Sequence, residues 1–387
     1  MDEKEQRILA VRRFRSGEKP EAICSSLGRS RSWLYKWLQR YSDQDNAWSS
    51  NLPKSPVNVA NRTPAEIEEI VKFVRLNLYN RDFFCGAQAI LWELEDQGIS
   101  PLPSLRTINR ILKRNDLTHR RTGKYEPKGT AYPKLPSLLP NQTHQMDMVG
   151  PCYLTGPIRF YGLNVIDTAT ARCGLHSSSS KSGQDVMDGT LAIWSRLGIP
   201  ENLQVDNALS FIGSPRYPRV PSQFVRLCLQ HDVEPWFVPM AEPWRNGVVE
   251  KFNDHYQQKF LGKVMMRTTD ELAAGTMAFE QRHNSSYRYS KLGGKTPLKA
   301  LSASKAVLRF PNQGNELQQR LELPETGRYH MVRLIRSDLK LNILGEIFAV
   351  APKLKLEYVV ATIDVKEQKL KLYLGKTQVD EFDYKIR

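Results

Sequence analysis

The chain has 387 residues. This length is too great for one ordinary domain and predicts two to four domains. Lysine and arginine total 56 against 41 aspartate and glutamate residues, a formal net charge of +15. This surplus does not specify a fold, but it favours a polyanionic partner such as nucleic acid over a merely soluble basic protein. The five cysteines are irregularly spaced and form no CxxC pair, which argues against a disulfide framework or a zinc finger.

The amino-terminal stretch MDEKEQRILAV is charged and lacks the apolar core of a signal peptide. The sequence has no run of 18 apolar residues, so we expect no transmembrane helix and no membrane partner. These features predict an intracellular protein in a reducing compartment.

Residues 1–45 carry the pattern of three short helices. Gly28 ends the second helix, and Ser30 is the predicted N-cap of the third. Leu34 and Leu38 lie one turn apart and are expected to face inward. The polar side chains left outside are Arg29, Arg31, Ser32, Lys36 and Arg40. The short turn and this basic face favour a helix-turn-helix DNA-binding domain over a plain three-helix bundle.

Residues 63–118 repeat this organisation after a polar linker. Thr63, Pro64 and Glu66 form a helix start signal with a capping box. Two more helices are predicted, the last one after Ser104. The polar side chains left outside this last helix are Arg106, Asn109, Arg110, Lys113 and Arg114. We interpret the segment as a second DNA-binding domain of helix-turn-helix or winged-helix type.

Two further stretches are candidates for DNA contact. Residues 119–140 are basic and rich in proline, and we expect a tether that also tracks phosphates rather than a purely solvated one. The loop at 211–222 either contacts DNA or is a surface excursion without contacts, and the sequence does not decide between them. The candidate contacts in the two stretches are Arg120, Arg121, Lys124, Arg216 and Arg219.

Residues 141–300 show an α/β pattern: three strand-like runs in an apparent meander, followed by alternating helices and strands. This pattern predicts a mixed sheet flanked by helices. Residues 320–387 contain five short strand-like runs, one of them KLNILGEIFAV, for which a small β-barrel domain is the simplest architecture. The predicted fold class is therefore multidomain, with all-α units, an α/β core and a carboxy-terminal barrel.

Asp147 and Asp206 end the first and fourth predicted strands of this core. If these strands are neighbours in a mixed sheet, the two carboxylates come together. Close carboxylates repel unless a proton or a cation is shared, and oxygen ligands of this kind suit Mg²⁺ or Mn²⁺. Two such ions, about 3.5–4 Å apart, hold the attacking and leaving oxygens of a phosphodiester exchange. A third carboxylate normally completes such a site, and the candidates are Glu242 and Glu250.

The motifs QMD, VDN and PWRNGVVEKFN resemble the three signatures of the DDE transposase and retroviral-integrase superfamily, and most closely those of bacterial insertion-sequence transposases with an integrase core. The resemblance implies a ribonuclease-H-like fold and metal-dependent cutting and joining of DNA. The implied catalytic and metal-binding acids are Asp147, Asp206 and Glu250. The motifs also match at the near-site residues Asn207, Asn246 and Asn253.

The spacing usual among relatives favours Glu242 as the third acid, because it lies closer to Asp206. Glu242, however, directly precedes Pro243 in an apparent loop, whereas Glu250 lies within the motif on a predicted helix. The loop at 211–222 supplies the extra length. We therefore choose Glu250.

The resemblance implies a transposase that binds the ends of a mobile element, exposes a 3′-OH and joins it to target DNA, with two Mg²⁺ or Mn²⁺ ions per active site. It implies double-stranded DNA as a partner, a homo-multimer of at least two subunits, and a bacterial, cytoplasmic, nucleoid-associated location. An accessory ATPase is left open. The alternatives are a nuclease of the same fold without joining activity, a transposase-derived DNA-binding regulator, and a nucleic-acid-packaging protein.

Overall fold

The computed structural model describes residues 2–44, 47–51, 63–118, 132–312 and 321–387. The chain divides into two compact units, Met1–Pro64 and Ala65–Arg387. Most of the predicted tether at 119–140 lies outside the described residues, including its candidates Arg120, Arg121 and Lys124. Within the described parts of the chain, no helix is both long and apolar enough to cross a membrane.

The first unit contains three helices, as the sequence predicts: α1 (Glu3–Arg15), α2 (Pro20–Leu27) and α3 (Arg31–Arg40). Gly28 ends α2 in the left-handed conformation, with φ 62°, which glycine adopts at little steric cost. The Ser30 hydroxyl accepts a hydrogen bond from the Trp33 amide at 3.2 Å and caps α3. Ile23 and Leu34 are fully buried between the helices.

The second unit begins with three more helices: α4 (Ala65–Asn80), α5 (Ala87–Asp96) and α6 (Leu105–Arg114). Ser104 caps α6 by accepting a hydrogen bond from the Thr107 amide at 3.1 Å. Val71, Ile90 and Ile108 come from the three helices and form their common apolar core. The three helices predicted for this segment are confirmed.

The remaining elements follow in chain order. The α/β segment contains β1 (Thr143–Tyr153), β2 (Arg159–Asp167), β3 (Cys173–Ser178), α7 (Gly183–Leu197), β4 (Asn202–Val205), α8 (Leu209–Ile212), α9 (Gln223–Gln230), β5 (Glu234–Phe237), α10 (Gly247–Tyr256), α11 (Thr269–Ser286) and α12 (Pro297–Ser304). The carboxy-terminal segment contains β6 (Arg328–Leu334), β7 (Lys340–Ile343), β8 (Glu346–Ala349), β9 (Tyr358–Asp364), β10 (Lys369–Leu374) and β11 (Thr377–Asp383).

One mixed sheet organises the second unit, with the strand order β11-β10-β9-β6-β5-β4-β1-β2-β3. Strands β1 to β3 form the predicted antiparallel meander, and β4 and β5 are added parallel to β1. The prediction of an integrase-like α/β core with a mixed sheet is confirmed.

The carboxy-terminal strands do not form the small barrel that the sequence suggested. Strand β6 pairs with β5 at Trp236–His330 and Phe237–Met331, so β6, β9, β10 and β11 extend the central sheet, which stays open. Phe237 and Met331 belong to one continuous apolar core. Without β6, the backbone N–H and C=O groups along that edge of β5 would lack strand partners. Alternating hydrophobicity indicates strands but does not specify which strands pair.

The run KLNILGEIFAV is a hairpin of β7 and β8 rather than the single strand that was predicted. Its turn consists of Leu344 and Gly345, both with positive φ, 52° and 96°. Two-residue hairpin turns with two positive φ angles normally use Asn, Asp or Gly at the first position. The unusual leucine concealed the turn from sequence reasoning.

Candidate functional site

Asp147 lies on β1, and Asp206 directly follows the neighbouring strand β4. Strands β1 and β4 are parallel, as the prediction required, and place Gln145 opposite Gln204. Each aspartate lies two residues beyond that pair, and the two carboxylates are close enough for Asp206 to help raise the pKa of Asp147. The prediction that β1 ends at Asp147 is wrong. The strand continues to Tyr153 alongside β2, and only its pairing with β4 stops before the aspartate.

Two donors orient the Asp147 carboxylate directly, and a third donor positions one of these two. The Met148 amide donates to its Oδ1 at 2.9 Å, and Asn253 Nδ2 donates to its Oδ2 at 2.7 Å. Asn164 Nδ2 in turn donates to Asn253 Oδ1 at 2.8 Å. Sequence reasoning found Asn253 through its motif but missed the buried Asn164, which lies opposite Asp147 on β2. The signal available was an amide within the apolar run RFYGLNVID.

Negative charge concentrates at this position. Burial and the carboxylates of Asp206 and Glu250 raise the pKa of Asp147 from 3.8 to about 6, against the opposing effect of its hydrogen bonds. Burial and the neighbouring Asp254 raise the pKa of Glu250 as well. A bound cation would relieve both effects, because it stabilises the ionised carboxylates.

Glu250 lies in the first turn of α10, and Gln145 fastens this helix to β1. Gln145 Oε1 accepts hydrogen bonds from the amides of Val248 and Val249 at 3.0 and 3.1 Å. These N–H groups belong to the first turn of a helix, which has no partners of its own for them. The strand that carries Asp147 thus provides the acceptor for the helix that carries Glu250. Both acids line one cavity together with Asn253.

A second set of amides fixes the turn before α10. Asn246 is buried, and its Nδ2 donates to the Met146 carbonyl at 2.9 Å. Gln204 Nε2 on β4 donates to the Arg245 carbonyl at 2.9 Å. The predicted support residue Asn246 therefore connects the helix start to the strand of Asp147, while Gln204, which the sequence did not single out, connects it to the strand of Asp206.

Glu242, the rejected third acid, is occupied elsewhere. The Tyr358 hydroxyl donates to both of its carboxylate oxygens at 2.7 and 2.9 Å, and Arg245 Nε lies 2.9 Å from its Oε2. The Arg245 guanidinium also lies over the Tyr132 ring, 4.1 Å from its centroid. This network joins the loop before α10 to β9, which is a structural use of the Glu242 carboxylate.

Asn207 supports the loop that follows Asp206. Its Nδ2 donates to the Val238 carbonyl at 2.6 Å, and its Oδ1 accepts from Arg333 Nη2 at 3.1 Å. Arg333 comes from β6, and burial lowers its pKa to about 10. The carboxy-terminal strands therefore brace the Asp206 loop, a contact across more than a hundred residues that no local pattern indicates.

The carboxylates of Asp147, Asp206 and Glu250 lie near one another but do not form a complete metal-binding site. Among the residues that the structure describes, no three acidic, histidine or cysteine side chains are grouped so that they could hold a metal ion as they stand. The donor set of Asp147, Asp206 and Glu250 nevertheless suits Mg²⁺ or Mn²⁺, since all its ligand atoms are carboxylate oxygens. The raised pKa of Asp147 agrees with this, because burial and the neighbouring carboxylates disfavour its ionised form, which a cation would stabilise.

The DNA-contact candidates of the first unit differ in their availability. Ser32 and Lys36 are exposed on α3. The three arginines have partners within the unit: Arg29 with Gln6, Arg31 with Glu21, and Arg40 with the Ser50 carbonyl. For these arginines, DNA contact would mean exchanging an existing partner.

The candidates on α6 share one open face. The exposed side chains are Arg106, Asn109, Arg110, Lys113 and Arg114. Arg114 forms an ion pair with Glu68 on α4. In the loop at 211–222, Arg216 is exposed, whereas Arg219 pairs with Glu346 at 2.8 Å and lies over the Tyr384 ring. Arg219 therefore fastens the loop to the carboxy-terminal segment.

Two parts of the chain match known families. Residues 1–47 match the homeodomain-like domain family, and residues 231–297 match the integrase core domain family. The predicted resemblance to transposases and integrases is confirmed. The integrase core match contains α10 and Glu250.

Solved structures of viral integrases are similar to the chain. The HTLV-2 integrase catalytic core domain in complex with magnesium is 19% identical over 43% of this chain and 99% of its own, with a TM-score of 0.34. The simian T-cell lymphotropic virus intasome in complex with PP2A regulatory subunit B56 gamma is 12% identical over 81% and 96%, with a TM-score of 0.39. The catalytic core domain of BIV integrase is 16% identical over 43% and 96%, with a TM-score of 0.31.

Proposed function

We propose that this chain is a DNA transposase that binds the ends of a mobile element, cleaves a DNA strand and joins the resulting 3′-OH to target DNA. The observation that supports this most is the grouping of the half-buried Asp147 with Glu250 in one cavity, where burial and the carboxylates of Asp206 and Glu250 raise the pKa of Asp147. Perturbed acids of this kind are typical of phosphoryl-transfer sites, where catalysis depends on positioning and charge neutralisation.

In this proposal Asp147, Asp206 and Glu250 hold the metal. Two Mg²⁺ or Mn²⁺ ions, when bound, supply activation of the attacking oxygen and stabilisation of the leaving oxygen. The protein itself orients the metal-binding carboxylates. Asn253 and the Met148 amide fix the Asp147 carboxylate, and Gln145 holds the Glu250 helix against the same strand.

The partners follow from the charge and the family matches. Double-stranded DNA binds the homeodomain-like unit and the exposed basic face of α6, aided by the net charge of +15. The working form is a homo-multimer of at least two subunits in the bacterial cytoplasm, associated with the nucleoid. The boundaries proposed for its parts are 1–45, 63–118, 119–140 and 141–300, with 320–387 continuing the core sheet.

Strand transfer of a pre-cut, labelled element end tests the proposal. The native end is taken from the DNA flanking the coding sequence, and joining to a plasmid is measured in Mg²⁺ and in EDTA. We expect joining that depends on the metal. Metal-dependent cleavage of an uncut end, without joining of the pre-cut one, would favour a nuclease instead. End binding without metal-dependent chemistry would favour a regulator.

A further inference from the structure

The helices α4 to α6 are packed against the integrase-like core through an aromatic contact. Phe84, between α4 and α5, places its ring 5.0 Å from that of His255 on α10, centroid to centroid. The same ring lies 5.3 Å from Tyr287 and 5.6 Å from Tyr289, which follow α11. One half-buried side chain of the helical group thus contacts both the helix that carries Glu250 and the segment after α11.

Polar contacts surround this aromatic centre. The Tyr287 hydroxyl donates to the Asp82 carbonyl at 2.8 Å, and the Asp82 carboxylate pairs with Lys263. Arg288 Nη1 donates to Asp96 Oδ2 at 2.6 Å. Several independent attachments of this kind hold both the position and the rotation of α5 relative to the core.

Trp92 on α5 closes the other side of the interface. The Arg288 guanidinium lies over its ring, 4.9 Å from the centroid. Gly294 lies against the same ring, so closely that a Cβ there would come within 2.8 Å of it. The backbone of the core is therefore fitted to the indole, which favours a permanent contact over an occasional one.

The interface leaves α6 open. The contacts with the core come from the end of α4, the segment after it, and α5, whereas α6 packs on α4 and α5. The side chains that its polar face presents to solvent are Arg106, Asn109, Arg110 and Lys113. A basic helix is thus held at a fixed distance and angle from Asp147 and Glu250.

We propose that α4 to α6 and the core act as one body, in which α6 reads a DNA tract at a set distance from the bond that is cut. This inference rests on the proposed function and adds a specificity rule to it. A flexible tether would let the reading helix and the acids engage DNA over a range of spacings. The docked arrangement allows one spacing, so the number of base pairs between the tract and the terminus becomes part of the recognition signal.

A spacing series tests the rule. The base pairs read by α6 are located first, as the footprint on the native end that Arg110→Ala loses. Five base pairs, about half a helical turn, are then inserted between that tract and the terminus. For the wild type we expect joining at the true terminus to fall at least about tenfold, since small misplacements are costly in catalysis. Cleavage is expected to move with the tract.

Phe84→Ala loosens the interface, and Phe73→Ala is its matched control, because Phe73 is exposed on α4 of the same helical group. We expect Phe84→Ala to bind the native end as the wild type does but to spread its cleavage over several positions and to lose most of the spacing penalty. Phe73→Ala keeps both the single cleavage position and the penalty. Arg288→Ala, which removes the contacts with Asp96 and Trp92, is expected to act like Phe84→Ala.

The possible outcomes distinguish the spacing rule from the proposed transposase function. Wild-type joining that ignores the insertion overturns the spacing rule and leaves the transposase proposal standing. A spacing penalty that persists unchanged in both Phe84→Ala and Arg288→Ala also overturns it. No joining by the wild type on the uninterrupted native end overturns the proposed function together with this inference.

Discussion

Gln145 connects the strand of Asp147 to the first turn of the helix that carries Glu250. It is buried, and its side-chain oxygen accepts from two amides at the start of α10. Gln145→Ala leaves these donors without that acceptor, at a cost of about 1–3 kcal/mol. We expect a lower midpoint of thermal unfolding and a loss of strand transfer that exceeds the loss of end binding.

Gln184→Ala is the control for this change, because Gln184 is exposed on α7 and its side chain donates to Asp188 on the same helix. It should leave both the unfolding midpoint and strand transfer unchanged. Wild-type joining by Gln145→Ala would show that the helix position does not depend on this amide.

The raised pKa of Asp147 predicts that the stability of the metal-free protein depends on pH. This pKa in the fold, about 6, exceeds the ordinary 3.8, so the folded chain binds more protons than the unfolded chain between those values. The contribution of Asp147 to stability therefore falls as pH rises through that window. In EDTA at pH 7, Asp147→Asn is expected to raise the free energy of unfolding by about 1–2 kcal/mol, and to change it little near pH 4. Destabilisation at pH 7 in urea titrations would contradict this.

The sequence predicts the three acids but not all the residues that position them. Asp147, Asp206 and Glu250 were found because they lie in short motifs, and Glu250 was preferred over Glu242 because of its helix. Asn164 and Arg333 act on the site from distant parts of the chain, and their side chains are ordinary within their own strands. Only the sheet order reveals that they lie beside the acids.

At the scale of elements, β6 is the strand that completes the core. It covers the edge of β5 and joins the strands β9, β10 and β11 to the rest of the sheet. A chain that lacks residues 321–387 exposes this edge and opens the apolar core. We expect the truncated chain to be insoluble or to lack cooperative unfolding. Its recovery as a stable, monodisperse protein would show that the carboxy-terminal strands are an independent domain after all.

Element types were predicted better than element partners. The 3.6-residue and two-residue periodicities gave the six amino-terminal helices and the strands of the meander, because these patterns are local. The β5–β6 pairing joins residues some ninety positions apart, and the Leu344–Gly345 turn carries no typical turn signal. Both the pairing and the turn can be recognised only in the folded structure.

At the scale of the whole molecule, the chain divides into two compact units, Met1–Pro64 and Ala65–Arg387. Each has an apolar core of its own. We therefore expect calorimetry of the intact protein to show two separable transitions, and removal of residues 1–64 to abolish one of them while leaving the midpoint of the other unchanged. A shift of the remaining transition would mean that the two units stabilise each other.

The most direct measurement is strand transfer by Glu250→Gln and Glu242→Gln on a pre-cut, labelled native end in Mg²⁺. The two substitutions remove one carboxylate charge each, eight residues apart. The account predicts that Glu250→Gln binds the end but does not join it to target DNA, whereas Glu242→Gln, whose carboxylate contacts Arg245 and Tyr358, still joins it. Joining by Glu250→Gln together with an inactive, folded Glu242→Gln would contradict the account.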